Sequence, residues 1–146
     1  MKKHNLMFVF LLVFLFGCRP EKKNPIEGTW DLISAKYTRA DTTISMTKDK
    51  VNHGMKMIHD NHFVFVGRFV LKNDTIDNYG GGTYTLEDHN YTETILYHTS
   101  KSVIGKTVHF EVYVNNDTLL QKGPRKGADP EEFLGWELAE TYVRLR

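Results

Sequence analysis

The sequence predicts an all-β domain of about eight short antiparallel strands, arranged as a sandwich or a small closed barrel. The first observation is composition: beyond residue 17 the chain has fourteen threonines and seven tyrosines but only four alanines. Threonine and aromatic residues suit a pleated, half-buried surface, whereas alanine-poor sequences make poor helices. The second observation is the recurrence of turn residues between alternating segments, with no convincing long helix.

The strands follow from this alternation, most clearly after residue 60. The segment 39–60 is harder to interpret, because 42–47 alternates loosely and 51–58 fits either a strand or a single helical turn. The remaining predicted strands are 29–38, 62–70, 83–87, 91–98, 107–114, 118–121 and 136–146. Gly80, Gly81 and Gly82 precede a strand and not a helix, so they indicate a bulge or a close backbone approach and not a phosphate-binding loop.

Period two assigns the residues of each strand to one of two faces. In 91–97 it places Glu93 with aromatic residues, and in the last strand it places Glu140 with Tyr142 and Arg144. A buried carboxylate needs a donor, so we expect Arg144 or a tyrosine hydroxyl to satisfy at least one glutamate. The candidate ligand-binding residues on these interior faces are Phe63, Phe65, Tyr84, Tyr91, Glu93, Tyr97, Phe110 and Tyr142. The same aromatic side chains could instead fill an eight-stranded barrel completely.

The N-terminal residues are typical of an export signal. Lys2 and Lys3 precede eleven apolar residues, Leu6 to Phe16, which are too few to span a bilayer, since about 20 are needed. The following Leu15-Phe16-Gly17-Cys18 resembles a bacterial lipobox, which implies lipidation of Cys18 and anchoring in the cell envelope. We therefore expect a signal peptide over 1–17 and a polar tether over 18–25. Arg19 after the cysteine favours the outer membrane.

Several classes of function are disfavoured. The chain beyond residue 17 carries 17 basic and 18 acidic residues, so nucleic acid is a poor partner. The single cysteine excludes an internal disulfide and a cysteine-based zinc site. His59 and His62 would share a face only on a helix, so we interpret the histidines as edge and turn residues and expect no metal site, with haem bound through one histidine as the minor alternative. No catalytic motif is present, and we expect neither catalysis nor a cofactor.

Gly28-Thr29-Trp30 at the start of the first strand and Arg144 near the end of the last resemble the calycin superfamily, which includes the lipocalins. The stretches 26–37, 56–68, 80–98 and 104–112 are similar to small lipocalin-like domains of bacterial lipoproteins. The resemblance implies an up-and-down barrel over 26–146, with Arg144 packed across Trp30 to close one end. The chain lacks the Thr-Asp-Tyr motif of lipocalins, so no particular ligand is implied.

The resulting functional expectation is a lipid-anchored, extracytoplasmic protein that binds a small apolar or amphipathic molecule inside the barrel. The alternative is a filled barrel that acts through its outer surface on an envelope protein, as an interaction or inhibitor module. A cavity in the interior favours the first hypothesis, and a packed interior with an exposed apolar patch favours the second.

Overall fold

The computed structural model describes residues 24–49, 51–71, 74–124 and 135–146. The predicted signal peptide, Cys18 and most of the predicted tether lie outside these residues. The described part of the chain forms nine strands and a short 3-10 turn at Lys101–Val103. The strands are β1 (Gly28–Arg39), β2 (Thr42–Thr47), β3 (Val51–His59), β4 (His62–Leu71), β5 (Asp74–Glu87), β6 (Asn90–His98), β7 (Thr107–Asn115), β8 (Thr118–Gly123) and β9 (Glu137–Arg144).

The strands form one closed antiparallel barrel. Neighbours in sequence pair from β3 through to β9, and β9 pairs back onto β1, which closes a ring of eight strands. β2 is an additional strand. The first half of β1 pairs with β3, from Gly28 to Asp31, and its second half pairs with β2, from Ser34 to Arg39. The prediction of an all-β antiparallel barrel is therefore confirmed, and a sandwich is excluded because the ring closes.

The two ends of the barrel differ in their connections. The β3–β4, β5–β6 and β7–β8 hairpins turn at one end through only two residues each. The first residue of each turn, Asp60, Asp88 or Asn116, has a positive φ, which aspartate and asparagine tolerate better than most residues. At the opposite end, β6 connects to β7 through residues 99–106 and β8 to β9 through 124–136. We call the end with the two-residue turns the closed end, and the end with the longer connections the open end.

Trp30 and Arg144 seal the closed end. The Trp30 side chain is fully buried, and its indole N–H donates to the Ile26 carbonyl oxygen over 2.8 Å. The Arg144 guanidinium carbon lies 4.0 Å from the centre of the Trp30 ring. Its Nη1 donates to the Glu27 carbonyl oxygen over 2.5 Å, and its Nη2 to that of Pro25 over 2.9 Å. The structure thus brings together the two residues that the resemblance paired.

β5 is much longer than the predicted strand 83–87, because its glycines lie within the strand. A Cβ at Gly82 would overlap the carbonyl oxygen of Thr94, and one at Gly80 would lie 2.7 Å from the Phe65 ring. The β5–β6 register shifts between Gly81 and Gly82. The close backbone approach predicted for these glycines is therefore confirmed, whereas the bulged residue lies opposite them, at Leu96 of β6. Gly67 of β4 is regularly paired, with the Phe69 ring over it.

Residues 51–58 form a strand, so the helical alternative for this segment was wrong. β3 continues the direction of β2 and pairs regularly with β4 from His53 to His59. This pairing places Gly54, Lys56 and Ile58 on the inner face, opposite Gly67, Phe65 and Phe63 respectively. A lysine is therefore built into the barrel wall facing inward.

Candidate functional site

A cavity of about 70 Å³ lies inside the barrel, between its middle and its open end. Its apolar walls include Phe65, Phe69, Ile95, Val108, Phe110 and Leu138. The row Gly54, Gly67 and Asn78 crosses β3, β4 and β5 on the inner face. The Phe69 ring lies over Gly67 in this row and forms part of the cavity wall on the open side of Lys56.

Lys56 and Glu93 form an ion pair in the barrel interior. The Lys56 Nζ lies 2.5 Å from the Glu93 Oε1 and donates to the Gln121 Oε1 over 2.7 Å. Lys56 and Glu93 are only 2% and 4% exposed. The ammonium also lies 5.2 Å and 5.1 Å from the ring centres of Phe63 and Tyr91. Close charge pairing, an amide acceptor and two aromatic rings together compensate the desolvation of this lysine.

Glu140 is held differently, by two tyrosine hydroxyls. Tyr37 donates to its Oε1 over 2.9 Å, and Tyr142 donates to its Oε2 over 2.7 Å. Burial, followed by the Glu140 charge, raises the pKa of both tyrosine hydroxyls well above 10. The hydroxyls therefore stay protonated and act as donors. Among the ion pairs of the described residues, no lysine, arginine or histidine pairs with Glu140.

The two polar clusters are neighbours in one interior network. Gln121 of β8 and Glu140 of β9 are cross-strand partners, which links the Lys56 cluster to the tyrosine-bound carboxylate. The cavity lining includes Lys56, Glu93, Gln121 and Glu140. One ammonium group faces two carboxylates, so the described charged groups on the cavity wall leave one negative charge unbalanced. This imbalance is the main electrostatic feature of the site.

His98 lies at the open side of the cavity without adding a charge at neutral pH. Burial is the main cause that lowers the pKa of its imidazole, and the backbone N–H of Ser100 donates to its Nδ1 over 2.8 Å. The ring centre lies 5.6 Å from that of Phe65. Half-buried residues such as His98, Asn78 and Gly67 make this side of the cavity accessible to solvent.

Tyr91 places a buried hydroxyl beside Glu93 in the same interior. The residue is fully buried, and among the described residues its hydroxyl has no hydrogen-bond partner of acceptable geometry. Burial is the main cause that raises its pKa well above 10, and the charge of Glu93 is the next. The Tyr91 hydroxyl therefore stays protonated beside the Glu93 carboxylate.

The structure brings four of the eight predicted ligand-binding residues to the cavity wall: Phe65, Glu93, Phe110 and Tyr142. Phe63, Tyr84 and Tyr91 are buried in the core but do not line the cavity. The expected tyrosine donor is found at Glu140, whereas Glu93 is satisfied by Lys56 and not by Arg144. Sequence reasoning missed Lys56, Gln121 and Tyr37.

Tyr97 is a correction, since it points outward and is 71% exposed. Strict period two placed it beside Glu93 and Ile95. The register of β6 against β5 passes from Ile95 to Tyr97 across the shift at Gly81 and Gly82, so Leu96 has no partner there. One extra residue reverses the faces that follow it. Ile95 therefore stays inside while Tyr97 moves to the outer wall.

The histidines of the β3–β4 hairpin are exposed. His59 and His62 are cross-strand partners at its end. The described part of the chain contains no group of three or more histidine, cysteine, aspartate or glutamate residues placed to hold a metal ion. Over the same residues, no helix has the length and apolar character needed to cross a membrane.

Comparison with known proteins gives no relative: no protein-family model matches the chain, and no curated protein has a significant sequence match to it. The function is therefore inferred from the barrel and from the residues that line its interior.

Proposed function

We propose that this protein is a lipid-anchored, lipocalin-like member of the calycin superfamily that binds a small amphipathic molecule in the open half of its barrel. The eight-stranded closed barrel and the Trp30–Arg144 contact at its closed end support the superfamily assignment. The lipobox-like sequence ending at Cys18 supports the anchor and a place in the cell envelope, at the outer membrane.

The observation that carries the proposal is an accessible cavity with apolar walls and one unbalanced carboxylate. Its volume of about 70 Å³ is below the roughly 150 Å³ of an engineered cavity that holds benzene. The interior therefore accommodates a polar head or a compact group, and the remainder of the ligand extends towards the open end. Binding is favoured over catalysis because Glu93 is paired with Lys56 and Glu140 is held by two hydroxyls.

Native mass spectrometry of the protein purified from its own host tests this proposal. We expect wild-type protein to carry a small molecule that is released on denaturation. Ile95 is 3% exposed and lines the cavity, whereas Leu96 is 45% exposed on the outer wall. Ile95→Phe fills the cavity and should lose the bound molecule, whereas Leu96→Phe should retain it. Wild-type protein that carries no molecule, or equal retention by both variants, would contradict the proposal.

The anchor is tested separately by Cys18→Ser. Without the thiol no acyl chain can be attached, so the variant should appear in the soluble fraction with an unchanged circular dichroism spectrum. Membrane fractionation of the variant equal to that of wild type would remove the lipoprotein part of the proposal and leave ligand binding unaffected.

A second candidate function, protein interaction, is favoured by the outer wall of β3 to β6. Cross-strand neighbours there expose an apolar band of Met57, Val64, Val66, Tyr79 and Tyr97, each at least 41% exposed. Large exposed apolar patches commonly mark contact surfaces. Cross-linking in host envelopes tests this function: Val64→Ser with Tyr97→Ser should remove a cross-linked partner that Ile95→Phe retains, and unchanged cross-linking would contradict it.

A further inference from the structure

We propose that the ligand of this site carries a positively charged amino group, bound by the carboxylate of Glu140 together with the hydroxyls of Tyr37 and Tyr142. The inference rests on the proposed function and adds to it the chemical class of the ligand.

The charges of the cavity wall argue against an anionic ligand. The ammonium of Lys56 already contacts Glu93 over 2.5 Å and Gln121 over 2.7 Å, and aromatic rings lie close to it. The Lys56 ammonium therefore already has side chains of the protein as its charge and hydrogen-bond partners. A ligand carboxylate would bring a third negative charge beside Glu93 and Glu140, whereas an ammonium group would balance the described charges.

Glu140 retains the capacity to accept further hydrogen bonds. A carboxylate has about four lone-pair sites, and the hydroxyls of Tyr37 and Tyr142 occupy one on each oxygen. Glu140 lines the cavity and is half-buried, so the remaining sites can be reached by a ligand. An ammonium group offers three donors, and a charge-assisted hydrogen bond is stronger than a neutral one.

The surrounding side chains suit a cation that is attached to a short apolar body. Tyr37, Phe65, Phe110 and Tyr142 line the cavity, and aromatic faces attract cations. The volume of about 70 Å³ fits an ammonium group with a few methylenes.

The test compares three ligands of equal chain length on the full chain, purified in detergent. We measure dissociation constants of hexan-1-amine, hexan-1-ol and hexanoate at pH 7 by NMR titration. The amine should bind at least tenfold more tightly than hexanoate. Glu140→Gln should weaken amine binding at least tenfold and change hexan-1-ol binding little. Glu137→Gln, which alters an exposed carboxylate on the same strand, is the matched control and should leave all three unchanged.

Two results would overturn this inference while ligand binding stands: hexanoate binding as tightly as the amine, or Glu140→Gln leaving the amine affinity unchanged. If Glu140→Gln does not fold, Tyr37→Phe and Tyr142→Phe replace it, because each keeps the carboxylate and removes one hydroxyl oxygen that accepts from the ammonium, so each should weaken amine binding severalfold. The mass of the molecule on host-purified protein decides independently: a cation supports the inference, and an anion or a neutral molecule overturns it. Absence of any bound molecule instead defeats the proposed function itself.

Discussion

The closed end and the open half of the barrel use similar residues but leave them in different electrostatic states. At the closed end, the Arg144 guanidinium stacks on Trp30 and donates to two carbonyl oxygens, and the indole donates to a third. In the open half, Lys56 is equally well held, but among the described residues the partners of Glu140 are two tyrosine hydroxyls and not a cation.

This difference separates a structural cluster from a candidate site. Groups at the closed end are satisfied by the chain itself, so they stabilise the fold and require nothing further. Groups in the open half are neutralised only in part, beside a cavity that solvent can reach. We infer that substitutions at the closed end reduce stability, whereas those around Glu140 mainly change ligand binding.

The largest loss of stability is expected from Trp30→Ala. Removing a fully buried indole leaves a cavity and takes away the stacking partner of Arg144, at a cost of about 3 to 5 kcal/mol. Urea unfolding measures the change. Trp136→Ala is the control and should cost less, because Trp136 is half-buried. A loss at Trp30 no greater than that at Trp136 would contradict the assignment of a sealed end.

Lys56→Met should cost nearly as much for a different reason. It leaves the buried Glu93 carboxylate without its cation, and breaking a buried ion pair in this way typically costs about 3 to 5 kcal/mol. The double variant Lys56→Met with Glu93→Leu removes both charges and should regain most of the loss. Urea unfolding of the two variants checks this. Equal instability of the single and double variants would mean that packing and not charge governs the cluster.

A smaller effect is expected from Arg144→Ala. The stacked guanidinium contributes about 0.5 to 2 kcal/mol, depending on its desolvation. Arg146→Ala is the matched control, since its side chain is 83% exposed and surface substitutions usually change stability by less than about 0.5 kcal/mol. Thermal unfolding that ranks the two variants equally would show that the contact with Trp30 adds nothing to closure.

The smallest expected effect is on the pH dependence of the free energy of unfolding, through His98 at the open end. Because burial lowers the pKa of His98, the unfolded chain binds its proton more readily than the folded chain does. Neutral His98 therefore contributes stability that is fully present above about pH 6.5, the pKa of a free histidine. This stability is lost as the pH falls through the lower pKa that His98 has in the folded protein. His98→Gln should therefore flatten the stability profile slightly below pH 6.5. An unchanged slope would remove His98 as its source.

Sequence alternation predicted the strands well wherever polar and apolar residues separate cleanly, as in 107–114, which corresponds to β7. The pairing of Trp30 with Arg144 came from the family resemblance and not from strand alternation. Lys56 was missed because the segment from Val51 to Ile58 mixes polar and apolar residues, and an inward lysine conflicts with the usual pattern. Its partner Glu93 lies 37 residues away, and no local signal joins the two.

Tyr97 shows a second limit of reasoning from periodicity. A single unpaired residue in β6 reverses the faces after it, and this shift is encoded by glycines on the neighbouring strand and not in β6 itself. Face assignments are therefore reliable up to a bulge and inverted beyond it. The candidate site could be predicted in part, through Phe65, Glu93, Phe110 and Tyr142, but its charge balance required the structure.

A crystal structure of the protein purified from its host, without removal of bound molecules, tests the central claim most directly. The claim is that the open half of the barrel is completed by a ligand. We predict density for a non-protein molecule in the cavity, with a donor atom within hydrogen-bond distance of the Glu140 carboxylate. A cavity that holds only water, with the Glu140 carboxylate contacted by nothing beyond Tyr37, Tyr142 and solvent, would contradict it.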